Sequence, residues 1–267
     1  MTEPDHELVT VLRENPRPGM PAPLIQRPAV QEAAPQLRRS PYPRPVRDVH
    51  QIEISSRCNL RCHYCPHYPE LPRAKEDMTW DTFEAALDHV RFFVRENTQT
   101  ELSLTGIGEA MLHPDFVAMA TKAREAIGPH RQLTITTNGL LLDETMAAAI
   151  APLKPAVFIS LHRPEKAAFA VAVARKYGIL AGTNESFATS AFDWAGTQTN
   201  WTPLVSAPRI KCEYLRSGWC VILVDGRVTT CCLDPDGRGV FGHVRDAPGT
   251  WMMAPHGLCT TCHMTPP

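Results

Sequence analysis

Three of the nine cysteines in this 267-residue chain fall within eight positions, as Cys58, Cys62 and Cys65 in "CNLRCHYC". A structural zinc site is closed by four protein ligands and a disulfide uses thiols in pairs. Three clustered thiols therefore point to a metal centre with one position left open. The other six, Cys212, Cys220, Cys231, Cys232, Cys259 and Cys262, form a second group near the carboxyl end, and none lies between.

Composition narrows the setting. Apolar residues make up 43% and charged residues 21% of the chain, and the net charge of −1 gives no global attraction to nucleic acid or a membrane surface. The beginning "MTEPDHELVTVLRENP" has acids and no apolar run of signal-peptide length, and no later stretch reaches the roughly 18 apolar residues of a membrane span. A cytoplasmic protein without a membrane partner is expected, and in that reducing compartment the cysteines are read as metal ligands or catalytic groups rather than disulfides.

The elements that must position these thiols follow from periodicity. Residues 1–47 hold ten of the 25 prolines and predict an extended, largely disordered arm. Its "QLRRSPYPRPVR" carries Arg38, Arg39, Arg44 and Arg47 without an acid; this reads as a solvated linker, or as a contact for phosphates or an acidic partner. From residue 48 β-rich runs alternate with helical spacing. "VHQIEIS" (49–55), "ELSLTG" (101–106), "QLTITT" (132–137), "AVFISL" (156–161) and "ILAGT" (179–183) are predicted strands. "MTWDTFEAALDHVRFFVREN", "HPDFVAMATKAREAIG", "DETMAAAIAPL" and "PEKAAFAVAVARKYG" are predicted helices, the first capped by Thr79 or Asp81.

That alternation implies an α/β fold with right-handed βαβ units and a parallel sheet, open or curled into a full or partial barrel. In such sheets the site lies at the carboxyl ends of the strands. The cysteine loop, "GIGEA", "TNG" and "SLH" follow strands one to four, so they are expected to share one site. Beyond residue 185 the alternation fades, and "WCVILVDGRVTTCC" reads as a hairpin around Asp225-Gly226. Three segments are expected: the arm 1–47, an α/β core 48–204 and a small cysteine-rich β-containing domain 205–267, which needs a metal staple.

The spacing Cys-x3-Cys-x2-Cys with Tyr64 before the last cysteine resembles the radical S-adenosylmethionine superfamily. The resemblance implies a partial (β/α)6-type TIM-like barrel and a [4Fe-4S] cluster held by Cys58, Cys62 and Cys65. Its fourth iron is left for the methionine part of S-adenosylmethionine. "TGIGEAML" resembles the family's glycine-glutamate stretch: Gly106 and Gly108 would let backbone approach the cofactor and Glu109 would accept from its ammonium, although Ala110 stands where the family has proline. Asn138 and Ser160 fit positions that face the cofactor. His162 stands where peptide-modifying relatives tend to have Asp.

The carboxyl-terminal cysteines resemble twitch and SPASM domains, which implies a second, auxiliary [4Fe-4S] cluster on Cys212, Cys231, Cys259 and Cys262. Cys220 and Cys232 are left over, and either is open as a replacement. Four cysteines in a β-rich lobe equally suit zinc. The implied activity is reductive cleavage of S-adenosylmethionine and oxidation or rearrangement of a substrate C–H bond. A flavodoxin or ferredoxin would supply electrons, and His162, Glu185, Asp234 and Asp236 are possible bases. A peptide or amino-acid-derived substrate leads; a nucleotide, modified nucleobase or aminocyclitol is the alternative. A zinc module that binds nucleic acid is the reading from another class.

Overall fold

The computed structural model describes residues 42–62, 65–67, 73–184, 194–195, 210–262 and 264–265. The predicted arm lies outside these residues except at 42–47. There β1 (Arg44–Pro45) pairs antiparallel with β11 (Met252–Met253), and Arg47 N donates to Gly218 O at 2.8 Å.

Four parallel crossovers build the core. They run β2 (Asp48–Ile52), α1 (Trp80–Arg95), β3 (Glu101–Leu104), α2 (Phe116–Ile127), β4 (Gln132–Thr137), α3 (Glu144–Ile150), β5 (Ala156–Ser160), α4 (Pro164–Lys176) and β6 (Leu180–Asn184). Two of the four helix starts carry a side-chain cap. Thr79 accepts from Thr82 N ahead of α1, and Asp143 accepts from Met146 N ahead of α3. Pro152 lacks a donor, so the helix expected through residue 153 closes at Ile150 and tightens into a 3-10 turn, Ala151–Leu153. Strand residues Leu102, Leu104, Leu133, Ile135, Val157 and Ile159 are fully buried on one sheet face, and Phe83, Leu87, Val90, Phe116 and Met119 of α1 and α2 are equally buried. The alternate residues Ser103, Thr134 and Phe158 stand on the other face.

After β7 (Ile210–Lys211) and α5 (Glu213–Ser217) come β8 (Trp219–Ile222), β9 (Arg227–Thr229) and β10 (Val240–His243); β12 (Met264–Thr265) pairs with β7. The main sheet runs β10-β9-β8-β2-β3-β4-β5-β6, parallel from β8 through β6 and antiparallel beyond. The expected hairpin around Asp225-Gly226 is β8–β9. Its first strand is a sixth parallel strand laid beside β2, so the main sheet draws strands from both sides of residue 204.

The β2–β8 seam is also held by side chains. His50 stacks on Trp219 with ring centroids 4.1 Å apart, and its Nε2 lies 3.3 Å from Glu101 Oε1. Burial pulls the His50 imidazole down to about 4, while burial of Asp48, which accepts from Thr100 N, pushes its carboxyl up to about 6.

The two groups act in opposite directions on stability. Unfolded His50 titrates near 6.5, so between about 6.5 and 4 the unfolded chain holds the extra proton and stability falls as pH falls. Unfolded Asp48 titrates near 3.9, so between about 6 and 3.9 the folded chain holds the extra proton and stability rises as pH falls. His50→Phe keeps the stack and removes the first effect. Denaturant melts of that variant should show stability rising from pH 6 to about 4 relative to wild type; parallel pH profiles would refute the assignment.

Candidate metal centre and active site

The cysteine loop is cinched at its root. Beyond β2 the chain returns so that Ser56 N donates to Glu76 O at 2.9 Å and Met78 N to Ile54 O at 2.8 Å, while the Arg57 guanidinium pairs with Asp77. Inside the loop, His67 Nε2 lies 2.8 Å from Ser56 O, and Cys65 N donates to Cys62 O at 3.0 Å. Tyr64 lies outside the described residues.

Burial pushes the Cys58 thiol up and the Cys65 thiol up to about 12. Neighbouring charge adds to this: Glu109 and Cys62 act on Cys58, and Cys58 and Cys62 act on Cys65. Neighbouring sulfur thus adds to the rise at Cys58 and at Cys65, and a bound metal cation acts in the opposite direction. All nine cysteines are free thiols. Among the described residues no three His, Cys, Asp or Glu side chains converge as ligands of a single ion. A cube that takes one thiolate per iron does not require that convergence. Three half-buried thiols on one loop fit such a group.

The loops after β3 and β4 are bonded to the cysteine loop. Glu109 N donates to Arg57 O at 2.7 Å. A Cβ on Gly108 would lie 2.4 Å from Arg57 O and 2.5 Å from Ser55 O, and one on Gly106 would strike the Glu53 side chain. The close approach these glycines permit is therefore, first, to the protein's own chain. Glu109 is 2% exposed, and its carboxylate accepts from Met111 N (3.2 Å), Thr137 Oγ1 (2.9 Å) and Asn138 N (2.7 Å). Assigned from the sequence to a cofactor ammonium, it is engaged in holding the "TNG" turn. Asn138 Nδ2 in turn donates to Asn59 Oδ1 at 2.7 Å, beside Cys58. Ser160 is buried at the carboxyl end of β5, followed by His162, whose imidazole is pulled down by burial and by Arg163. Phe158, on the same sheet face as Ser160, is 42% exposed.

The carboxyl-terminal thiols form a second group. Burial raises Cys212, with Cys259 and Cys262 adding; burial raises Cys231, with Cys232 and Cys212 adding; Cys232 feels Cys262 and is hydrogen-bonded to the Tyr214 side chain. Cys212, Cys231, Cys259 and Cys262 are thus brought together with Cys232. Cys220 is not: it is buried in β8 beside Asp48. Ile107 of the "GIGE" loop packs against a small buried cluster of Trp194, Ala195 and Leu233, against which Cys231, Cys232 and Cys262 also pack.

Of the possible bases, Glu185 lies outside the described residues. Asp234 is engaged in its own turn, accepting from Thr229 Oγ1, Arg238 N (2.8 Å) and Gly239 N (2.8 Å). Asp236 keeps a buried Oδ1 without a hydrogen-bond partner among the described residues. Sequence reasoning missed the pair at the centre of the site. Arg73 Nη2 donates to both Glu53 oxygens, at 2.7 and 2.6 Å, with both side chains almost fully buried. The available signal was an acid inside the apolar strand run "VHQIEIS".

With this geometry in place, the chain can be compared with known proteins. A model described as the Radical SAM superfamily matches residues 52–186, half of the chain. The GTP 3',8-cyclase of Streptomyces coelicolor is 29% identical over 196 residues, 64% of this chain and 56% of that one. The chain spans between 16% and 56% of the lengths of the curated relatives compared. Among solved structures, BtrN in complex with AdoMet and 2-DOIA has a TM-score of 0.60 at 18% identity, covering 74% of this chain and 78% of that one. SuiB of Streptococcus suis bound to its precursor peptide SuiA has a TM-score of 0.56 at 12% identity, covering 75% and 63%. Both likenesses are of fold.

The glycine contact gives a direct test. Gly108→Ala must displace the Ser55–Arg57 backbone, at a cost of about 1–3 kcal/mol. Iron bound after anaerobic reconstitution should fall well below wild type, and amides of residues 57–75 should exchange faster. Gly257→Ala, whose methyl meets open space, should leave both unchanged.

Proposed function

The chain belongs to the radical SAM superfamily, and on that premise we propose that it abstracts a hydrogen atom from a substrate lying between its two thiol groups, oxidising or rearranging a C–H bond. The observation that supports this reading is the hydrogen bonding of the "GIGE" and "TNG" loops to the cysteine loop, which ties together the carboxyl ends of β2, β3 and β4. When bound, the [4Fe-4S] cluster and S-adenosylmethionine supply the one-electron cleavage that yields the 5′-deoxyadenosyl radical.

The protein's own residues hold and orient. Cys58, Cys62 and Cys65 present three thiolates. The backbone of Gly106 to Gly108 forms one edge of the cofactor pocket, with Tyr64, Asn138 and Ser160 assigned to its other edges and Glu109 fixing the turn that carries Asn138. Cys212, Cys231, Cys259 and Cys262 would hold an auxiliary [4Fe-4S] cluster. Asp236 and His162 are the groups suited to take a substrate proton. A flavodoxin or ferredoxin donates the electron, and a reducing cytoplasm keeps the thiols free.

The favoured substrate is a peptide or amino-acid derivative, a reading supported by the shared fold with SuiB, which was solved with its precursor peptide. The second reading, a nucleotide, is supported by the identity to the GTP 3',8-cyclase.

Anaerobically reconstituted protein given S-adenosylmethionine and dithionite should release 5′-deoxyadenosine. Cys58→Ala, Cys62→Ala and Cys65→Ala should each abolish that release and deplete iron. Cys220→Ala, beside Asp48 in the core, should retain both. A colourless wild-type protein carrying only zinc would overturn the reading, and release accelerated by GTP and by no peptide would move the substrate to the nucleotide class.

A further inference from the structure

We propose that Arg73 anchors the substrate by an oxyanion, a carboxylate or a phosphate, bound at the Nη1 edge of its guanidinium. The inference deepens the function proposed above and rests on it for the identity of the site.

Arginine carries five N–H donors and has no neutral form at ordinary pH, so every donor needs an acceptor or water. Arg73 Nε donates to Pro235 O, and Nη2 donates to both oxygens of Glu53. Nη1 is buried and has no hydrogen-bond partner among the described residues, and the side chain as a whole is only 9% exposed. Bulk water therefore does not serve it, and leaving two charged N–H groups unmet costs free energy.

Glu53 is not the partner that Nη1 lacks. Besides the Arg73 bonds, its Oε1 accepts from Ile107 N at 3.0 Å and its Oε2 from Val224 N at 3.1 Å, so each oxygen already takes two donors. The pair has a saturated acceptor and an unsaturated donor, which is the imbalance a ligand oxygen corrects.

Its place in the fold identifies the ligand as substrate. Glu53 follows β2 directly, Ile107 belongs to the loop that packs, as Cys231, Cys232 and Cys262 do, against Trp194, Ala195 and Leu233, and Pro235 follows Cys231 and Cys232 by a few residues. Arg73 thus bonds the end of β2 to the segment that follows the carboxyl-terminal cysteines Cys231 and Cys232. Next to Pro235, Asp236 Oδ1 is likewise buried without a partner. A free donor edge and a free acceptor in one neighbourhood suit a ligand carrying an oxyanion together with an N–H or O–H group. A guanidinium receives carboxylate and phosphate alike, so the charge class follows from the residue and the source does not.

The test uses reconstituted protein saturated with S-adenosylmethionine, titrated calorimetrically with inorganic phosphate and with acetate. Wild type should bind at least one of them, and the tighter probe identifies a phosphorylated or a carboxylate substrate. Arg73→Lys preserves the charge opposite Glu53 and removes the second edge, so it should weaken that binding about tenfold or more, the size of one charge-assisted hydrogen bond, without changing affinity for S-adenosylmethionine. The double variant Glu53→Gln/Arg73→Gln, a neutral pair of similar volume, should behave likewise and covers the case in which the lysine variant fails to load iron. Wild type that binds neither anion, variants that bind as wild type does, or an equal loss of cofactor affinity would each overturn the proposal. Absence of 5′-deoxyadenosine in wild type would instead count against the radical reading, because anion binding is measured without turnover.

Discussion

The site is organised around two opposite charges removed from water, Glu53 and Arg73. Desolvating both is expensive, and such a pair contributes less to net stability than to fixing what its partners can be. Here the partners come from four stretches of chain. Glu53 extends from the first core strand, Arg73 closes the cysteine loop, Ile107 belongs to the glycine loop, and Val224 and Pro235 belong to the carboxyl-terminal segment. Because the carboxylate accepts from Arg73, Ile107 and Val224 while Arg73 also donates to Pro235 O, none of them can shift alone. The end of β2, the glycine loop and the carboxyl-terminal segment are therefore tied together by hydrogen bonds at one buried point.

What the sequence discloses depends on whether the cause is local. The core strands and helices follow from hydrophobic period and from caps such as Thr79 and Asp143, each a matter of a few neighbouring residues. The cysteine spacing is legible for the same reason, since one loop supplies all three sulfurs. Pro152 shortening a helix was readable and was passed over. The docking of Trp219–Ile222 beside Asp48–Ile52 was not readable: it joins residues about 170 apart, and the hairpin signal at Asp225-Gly226 says that two strands pair, not which sheet they join. The His50–Trp219 stack that favours this register has no periodic signature either.

The same distinction sorts the thiols and the glycines. Spacing left Cys220 and Cys232 equivalent, whereas burial in the sheet separates them, placing Cys220 against Asp48 and Cys232 against Tyr214 and Cys262. Gly106 and Gly108 are positions where a side chain would meet other parts of the protein. What approaches is Glu53 and the Ser55–Arg57 backbone, contacts that exist only once the loops are folded together.

A division of labour follows from these contacts. The elements assigned to the cofactor are loop backbone, cysteine sulfurs and short polar groups locked by internal hydrogen bonds: Glu109 is occupied by three donors, and Asn138 is fixed between Asn59 and Leu140. Groups held this tightly suit a ligand that does not vary. The side chains with unused capacity at the same mouth, the Nη1 edge of Arg73, Oδ1 of Asp236 and the exposed ring of Phe158, are the ones free to read a ligand that does. None of the three lies in a motif, because each is defined by what its neighbours leave unsatisfied. Chemistry is therefore written in this sequence as spacing, while substrate choice is written in the residual hydrogen-bonding capacity of a folded site, which no spacing encodes.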